Sequence, residues 1–76
     1  MKVGDLFQIG ELHYVEVVYI SGSDEVLPYL VVERALIPYT DNKGETAGYY
    51  THEQATWINA EGVTLDDKGN ERRVLL

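Results

Sequence analysis

The chain has 76 residues, with six Lys or Arg against thirteen Asp or Glu, no cysteine and a formal net charge of −7. One small domain spanning residues 1–76 is expected. The absence of cysteine excludes a disulfide scaffold and a thiolate zinc site, and no apolar run approaches the ~20 residues of a membrane-spanning helix. The acidic field opposes phosphate backbones, so direct nucleic-acid binding is not expected.

The hydrophobic fraction of 45% belongs to a globular chain. A chain this short buries only about 60% of its unfolded surface, so modest stability is expected. The charge is uneven: residues 1–67 hold twelve carboxylates against Lys2, Arg34 and Lys43, and the last nine hold Lys68, Arg72 and Arg73 against Glu71. Met1-Lys2-Val3-Gly4-Asp5 has one basic residue and no apolar stretch, so no signal peptide is expected and the cytoplasm is the expected compartment.

The glycines punctuate segments rich in Val, Ile, Leu and Tyr, a pattern of short strands and tight turns. Ile9-Gly10-Glu11-Leu12 predicts a two-residue type II′ hairpin, with Ile9 facing Leu12 and Phe7 facing Tyr14. That register sets Asp5 against Glu16, so the first strand should begin after Asp5 or the pairing should shift. The second strand covers residues 12–21. It is β-branched and aromatic on both faces, with Val15, Val17 and Tyr19 on one side, and is expected to be central.

Ser21-Gly22-Ser23-Asp24 reads as a turn. A third strand starts near Pro28 and runs to Pro38, with Leu30, Val32, Arg34 and Leu36 on one side and Tyr29, Val31, Glu33, Ala35 and Ile37 on the other. A short strand is expected near residues 47–50. Thr51-His52-Glu53-Gln54 then fits a capping box, which predicts a short helix over residues 52–60 with Gly62 as its C′ residue. Val63-Thr64-Leu65, a turn at residues 66–70 and a strand over residues 72–76 complete a second hairpin. The expected class is mostly β, α+β at the margin: a small five-stranded SH3-like barrel or a bent antiparallel sheet, with one short helix. Lys2-Val3-Gly4-Asp5 resembles the lead-in to the first strand of such barrels, but four residues assign no family.

No catalytic, cofactor or metal motif is present, and an enzyme is not expected. His13 and His52 have no metal-type partner at i+2 or i+4. The carboxylates at Asp66, Asp67 and Glu71 do not fit a calcium loop, because Gly69 comes too early and Lys68 occupies a ligand slot. There is no phosphate loop and no nucleophile elbow.

Six tyrosines stand out. Tyr39, Tyr49 and Tyr50 lie beside turns and are flanked by Asp41, Glu45 and Glu53. Tyrosine anchors with a carboxylate rim suit a protein interface. The expectation is a non-enzymatic interaction module that binds a protein partner with a basic surface through these six residues. One version is an inhibitor that mimics nucleic acid in its partner's basic groove. The alternative is a structural or assembly subunit that self-associates through apolar strand faces. The sequence leaves the oligomeric state open and implies no membrane contact.

Overall fold

The computed structural model describes residues 1–22 and 25–75 and contains six strands in chain order. These are β1 (Leu6–Gly10), β2 (His13–Ile20), β3 (Tyr29–Thr40), β4 (Thr46–Ile58), β5 (Val63–Leu65) and β6 (Glu71–Arg73). The first four form an antiparallel meander in the order β1-β2-β3-β4, and β5 and β6 form a separate hairpin. The turn expected at residues 21–24 lies partly outside the described residues, as does Leu76.

The core lies on one face of the sheet. Val15 and Val17 from β2, Val31 from β3 and Ile58 from β4 are fully buried there. Alternation puts odd residues of β2 and β3 and even residues of β4 on this face, because Val17 opposes Val31 and Val31 opposes Thr56. Phe7 and Ile9 cover it from β1, and Val63, Val74 and Leu75 close it from the C-terminal hairpin. The hairpin is also tied down by charge. The buried Glu33 carboxylate accepts from Thr56 Oγ1 at 2.7 Å and from both terminal nitrogens of Arg72 at 3.2 and 3.1 Å. Burial alone would push the Glu33 carboxyl up. The bonds from Arg72 and Thr56, with the charges of Arg72 and His13, outweigh burial and hold it below the ordinary glutamate value.

Three of the connections are one turn used three times. Asp41, Asn59 and Asp66 each accept two backbone N–H groups on Oδ1, from the residues two and four positions on. Each is followed three residues later by a glycine with positive φ: Gly44 at 79°, Gly62 at 80° and Gly69 at 83°. The Asx side chain satisfies the turn's N–H groups, and glycine supplies the left-handed residue that realigns the strands.

The structure corrects the expected barrel, helix and register. The sheet does not close into an SH3-like barrel among the described residues, because the meander leaves β1 and β4 on opposite edges and the C-terminal hairpin folds over a face. Residues 52–58 are strand, not helix, and β4 is continuous from Thr46. A capping box is a local signal. It is outweighed here by pairing with β3, by complete burial of Ile58 and by the Thr56–Glu33 bond. Gly62 does adopt the left-handed conformation, but in a turn.

Phe7 opposes Val15, one residue from the expected register. The shift puts Phe7 on the core face beside Val15 and sets Glu16 against Leu6 instead of Asp5. The turn residues are Glu11 and Leu12, and Gly10 does not have positive φ, so the turn is not type II′. A bulge between Val17 and Tyr19 turns Tyr19 away from Val15 and Val17 to the opposite face.

Strand β3 runs through Pro38 to Thr40. The Leu36 N–H donates toward β2, to the Leu12 carbonyl, so by alternation Pro38 points its missing donor the same way. That side is open there, since β2 pairs no further than Ala35, and the proline costs no ladder bond.

Candidate interaction surface

The face opposite the core is uncovered by any described element. Its rows follow from the register: Tyr19–Leu30–Trp57, then Leu6–Glu16–Val32–Ala55, then Gln8–Tyr14–Arg34–Glu53, then Leu36–Thr51 and Pro38–Tyr49. Leu6 is 62% exposed, Tyr49 56%, Tyr19 54%, and Leu36 and Trp57 40% each, a large apolar area for one side of a small sheet. Tyr19 and Trp57 meet edge to face with ring centroids 6.1 Å apart. Beside them lies an open groove of about 600 Å³ that also involves Ser21, Glu25, Val26 and Leu27.

An ion-pair cluster sits in the middle of this face. Arg34 binds Glu16 and, through Nε at 3.3 Å, Glu53. The Glu16 hydrogen bond is the main influence raising the Arg34 pKa. One guanidinium against two carboxylates leaves the cluster with about one unit of net charge, in a chain of net charge −7.

Beyond Ala35, β3 loses its β2 partner, and residues 37–40 and 46–50 continue as a two-stranded arm. Tyr39, Asp41, Glu45, Tyr49 and Tyr50 all lie on this arm or its tip, and all are exposed. They do not form one surface. Pro38 opposes Tyr49 on the open face, whereas Tyr39 and Tyr50 project from the core-face side. The Tyr39 ring lies across Gly48, where an added methyl would meet its Oη at 2.7 Å.

Asp41 is engaged by its own turn through Lys43 N and Glu45 N at 2.8 and 3.0 Å. Glu53 is in the sheet, bound to Arg34, and away from the tip. The tyrosines are as exposed as an interface requires, but two of the three carboxylates already have partners within the fold.

Sequence reading missed Leu6, Tyr19 and Trp57 as surface residues. Leu6 and Trp57 carried a usable signal, the period-2 alternation of their segments; Tyr19 is displaced by a bulge that no local pattern announced.

The overall shape agrees with an incomplete covering. The Cα radius of gyration is 15.0 Å and the extents are 53 × 29 × 17 Å. A compact chain of this length is expected near 11 Å. The accessible surface is 5511 Å², against roughly 4,700 Å² for a folded monomer of this mass. Among the described residues, no three His, Asp or Glu side chains gather in a way that could hold a metal ion, and no helix is long and apolar enough to cross a membrane. Comparison with known protein families, curated proteins and solved structures found no match for the chain.

Proposed function

We propose that this protein is a non-enzymatic assembly subunit whose four-stranded sheet is completed by further copies of the same chain. The observation that carries this reading is the one-sided core. Among the described residues six apolar side chains are buried on or around one face, while the opposite face leaves Leu6, Tyr19, Leu36, Tyr49 and Trp57 in water. Burying such a face returns about 25 cal/mol for each Å² of apolar surface removed from water. The small charge of the Glu16–Arg34–Glu53 cluster makes this face a better meeting surface for like copies than the acidic remainder. The absence of cysteine and the acidic composition suit a cytoplasmic setting.

Co-expression of two differently tagged copies tests the reading. The tags should co-purify, and Leu6→Lys with Leu36→Lys should greatly reduce co-purification by placing charges in the contact. Failure of wild-type copies to co-purify would remove the proposal's basis.

A second reading is supported by the projecting arm. Its exposed Tyr39, Tyr49 and Tyr50, with Asp41 and Glu45 at the tip, offer a narrow acidic probe to a protein partner with a basic groove. In that reading, binding weakens steeply with salt, and Tyr39→Ala speeds dissociation of the partner.

A further inference from the structure

The outer edge of β4 is a long unpaired strand edge. Thr46–Ile58 makes thirteen residues, paired among the described residues on one side only, with β3. The Leu36 N–H points toward β2, so odd residues of β3 bond toward β4, and the even residues opposite them in β4 bond back. The odd residues Tyr49, Thr51, Glu53 and Ala55 therefore direct both N–H and C=O outward. No backbone hydrogen bond from a described residue meets them.

Strand edges of this kind template further pairing unless they are blunted by Lys, Pro, bulges or brevity. Strand β4 contains no Lys and no Pro, and its irregularity, opposite Tyr39 and Thr40, is confined to the arm tip. The opposite edge differs: β1 has five residues and its own register break before Gly10.

We infer that the β4 edge pairs antiparallel with the β4 edge of a second copy about a two-fold axis, joining two four-stranded sheets into one of eight. This rests on the assembly reading above and specifies one of its contacts. Charge selects a copy of this chain as the occupant. Of the thirteen carboxylates, β4 holds only Glu53, which Arg34 engages within its own chain. From Thr46 to Glu53 the edge is thus a nearly neutral stripe on an acidic molecule; beyond it the C-terminal hairpin, with Asp66, Glu71 and Arg72, flanks residues 54–57.

The register is self-complementary. A two-fold axis through Thr51 sets Glu53 against Tyr49 of the other copy, and an axis through His52 sets it against Thr51. Either avoids the like-charge opposition that an axis through Glu53 would create. Pairing from residue 49 to 53 alone exchanges about six backbone hydrogen bonds. The contact is isologous and closes at two copies. A strand edge buries less than the ~800 Å² per partner of a standard interface, so the edge contact alone should be concentration-dependent.

Amide exchange measured across a concentration series, on wild type and two edge variants, tests this. Thr51→Pro removes an N–H that the fold does not use, and proline is tolerated on the open side of an edge strand. Thr51→Lys supplies an edge charge and carries the test if the proline variant does not fold. In the wild type, protection of the Tyr49, Thr51 and Glu53 amides should rise with concentration. Both variants should weaken dimerisation at least tenfold while keeping wild-type circular dichroism. Association that leaves those amides open, and persists unchanged in both variants, would overturn the edge pairing and leave the face contact standing. A wild type that stays monomeric at millimolar concentration would overturn both.

Discussion

Gly44, Gly62 and Gly69 occupy the same position of the same turn, with φ of 79°, 80° and 83°, so Gly→Ala at each compares surroundings at constant backbone geometry. Placing an L-residue in the left-handed region costs roughly 1–2 kcal/mol, and this should be common to all three. Around Gly44 and Gly69 no atom of a described residue lies within 4 Å of an added methyl. At Gly62 the methyl would lie 2.5 Å from Leu75 Cβ, 3.1 Å from its Cγ and 3.3 Å from its Cα. That segment cannot simply swing aside, because the Gly62 carbonyl accepts from Val74 N at 2.7 Å and Leu75 N at 3.0 Å, and Val74 is buried. Overpacking of this kind adds about 1–3 kcal/mol. Gly62→Ala should therefore cost about 2–5 kcal/mol in all, and each kcal/mol lowers Tm by roughly 4–8 °C in a chain of this size. Thermal melts at one fixed protein concentration check this, the concentration being held because association raises apparent stability. Equal losses at the three sites would refute the claim that the C-terminal segment is locked over the core at Gly62.

Arg72→Leu should cost about 1–2 kcal/mol in urea unfolding, because it leaves a buried carboxylate with Thr56 as its remaining bonded partner; the half-exposed position of Arg72 moderates the loss. Glu33 and Asp66 titrate below their ordinary values in the fold, Glu33 because the Arg72 and Thr56 bonds override burial, and Asp66 chiefly through the Asn70 N–H. Below the ordinary carboxylate value the unfolded chain binds the extra protons. Their stabilisation is therefore complete at neutral pH and lost as pH falls through the folded values. Melting across an acid series should show this decline, and Glu33→Gln should flatten it. Deleting residues 72–76 removes Val74, Leu75 and the Arg72 bonds together and should give an insoluble or dye-binding product. A truncated chain with wild-type melting would show that the hairpin is dispensable.

Much of the fold could be read where one residue's neighbours decide its state. The two sides of β3 follow from plain alternation, and the C-terminal hairpin follows from Val63-Thr64-Leu65 and the Asp66-x-x-Gly69 turn, although its second strand is the charged Glu71–Arg73 and not residues 72–76. The same spacing in Asn59-Ala60-Glu61-Gly62 marked a third turn, but next to Thr51-x-x-Gln54 it read as the close of a helix. The capping box could not register that Ile58 would oppose Tyr29, nearly thirty residues away. The bulge that moves Tyr19 beside Trp57 is set by how β2 meets β3, so it also lay beyond local reading. Nearness to turns singled out Tyr39, Tyr49 and Tyr50 as interface candidates, and all three are exposed. Strand parity then divided them between two faces, a consequence only of the final register.

The central claim, association through the uncovered sheet, is tested most directly by sedimentation velocity of the wild-type chain from micromolar to millimolar concentration at low and high salt. The average mass should climb above the 8.6 kDa monomer as concentration rises. It should climb further at high salt, because a net charge of −7 on each copy opposes contact until it is screened. A single 8.6 kDa species at every concentration and salt would contradict the claim.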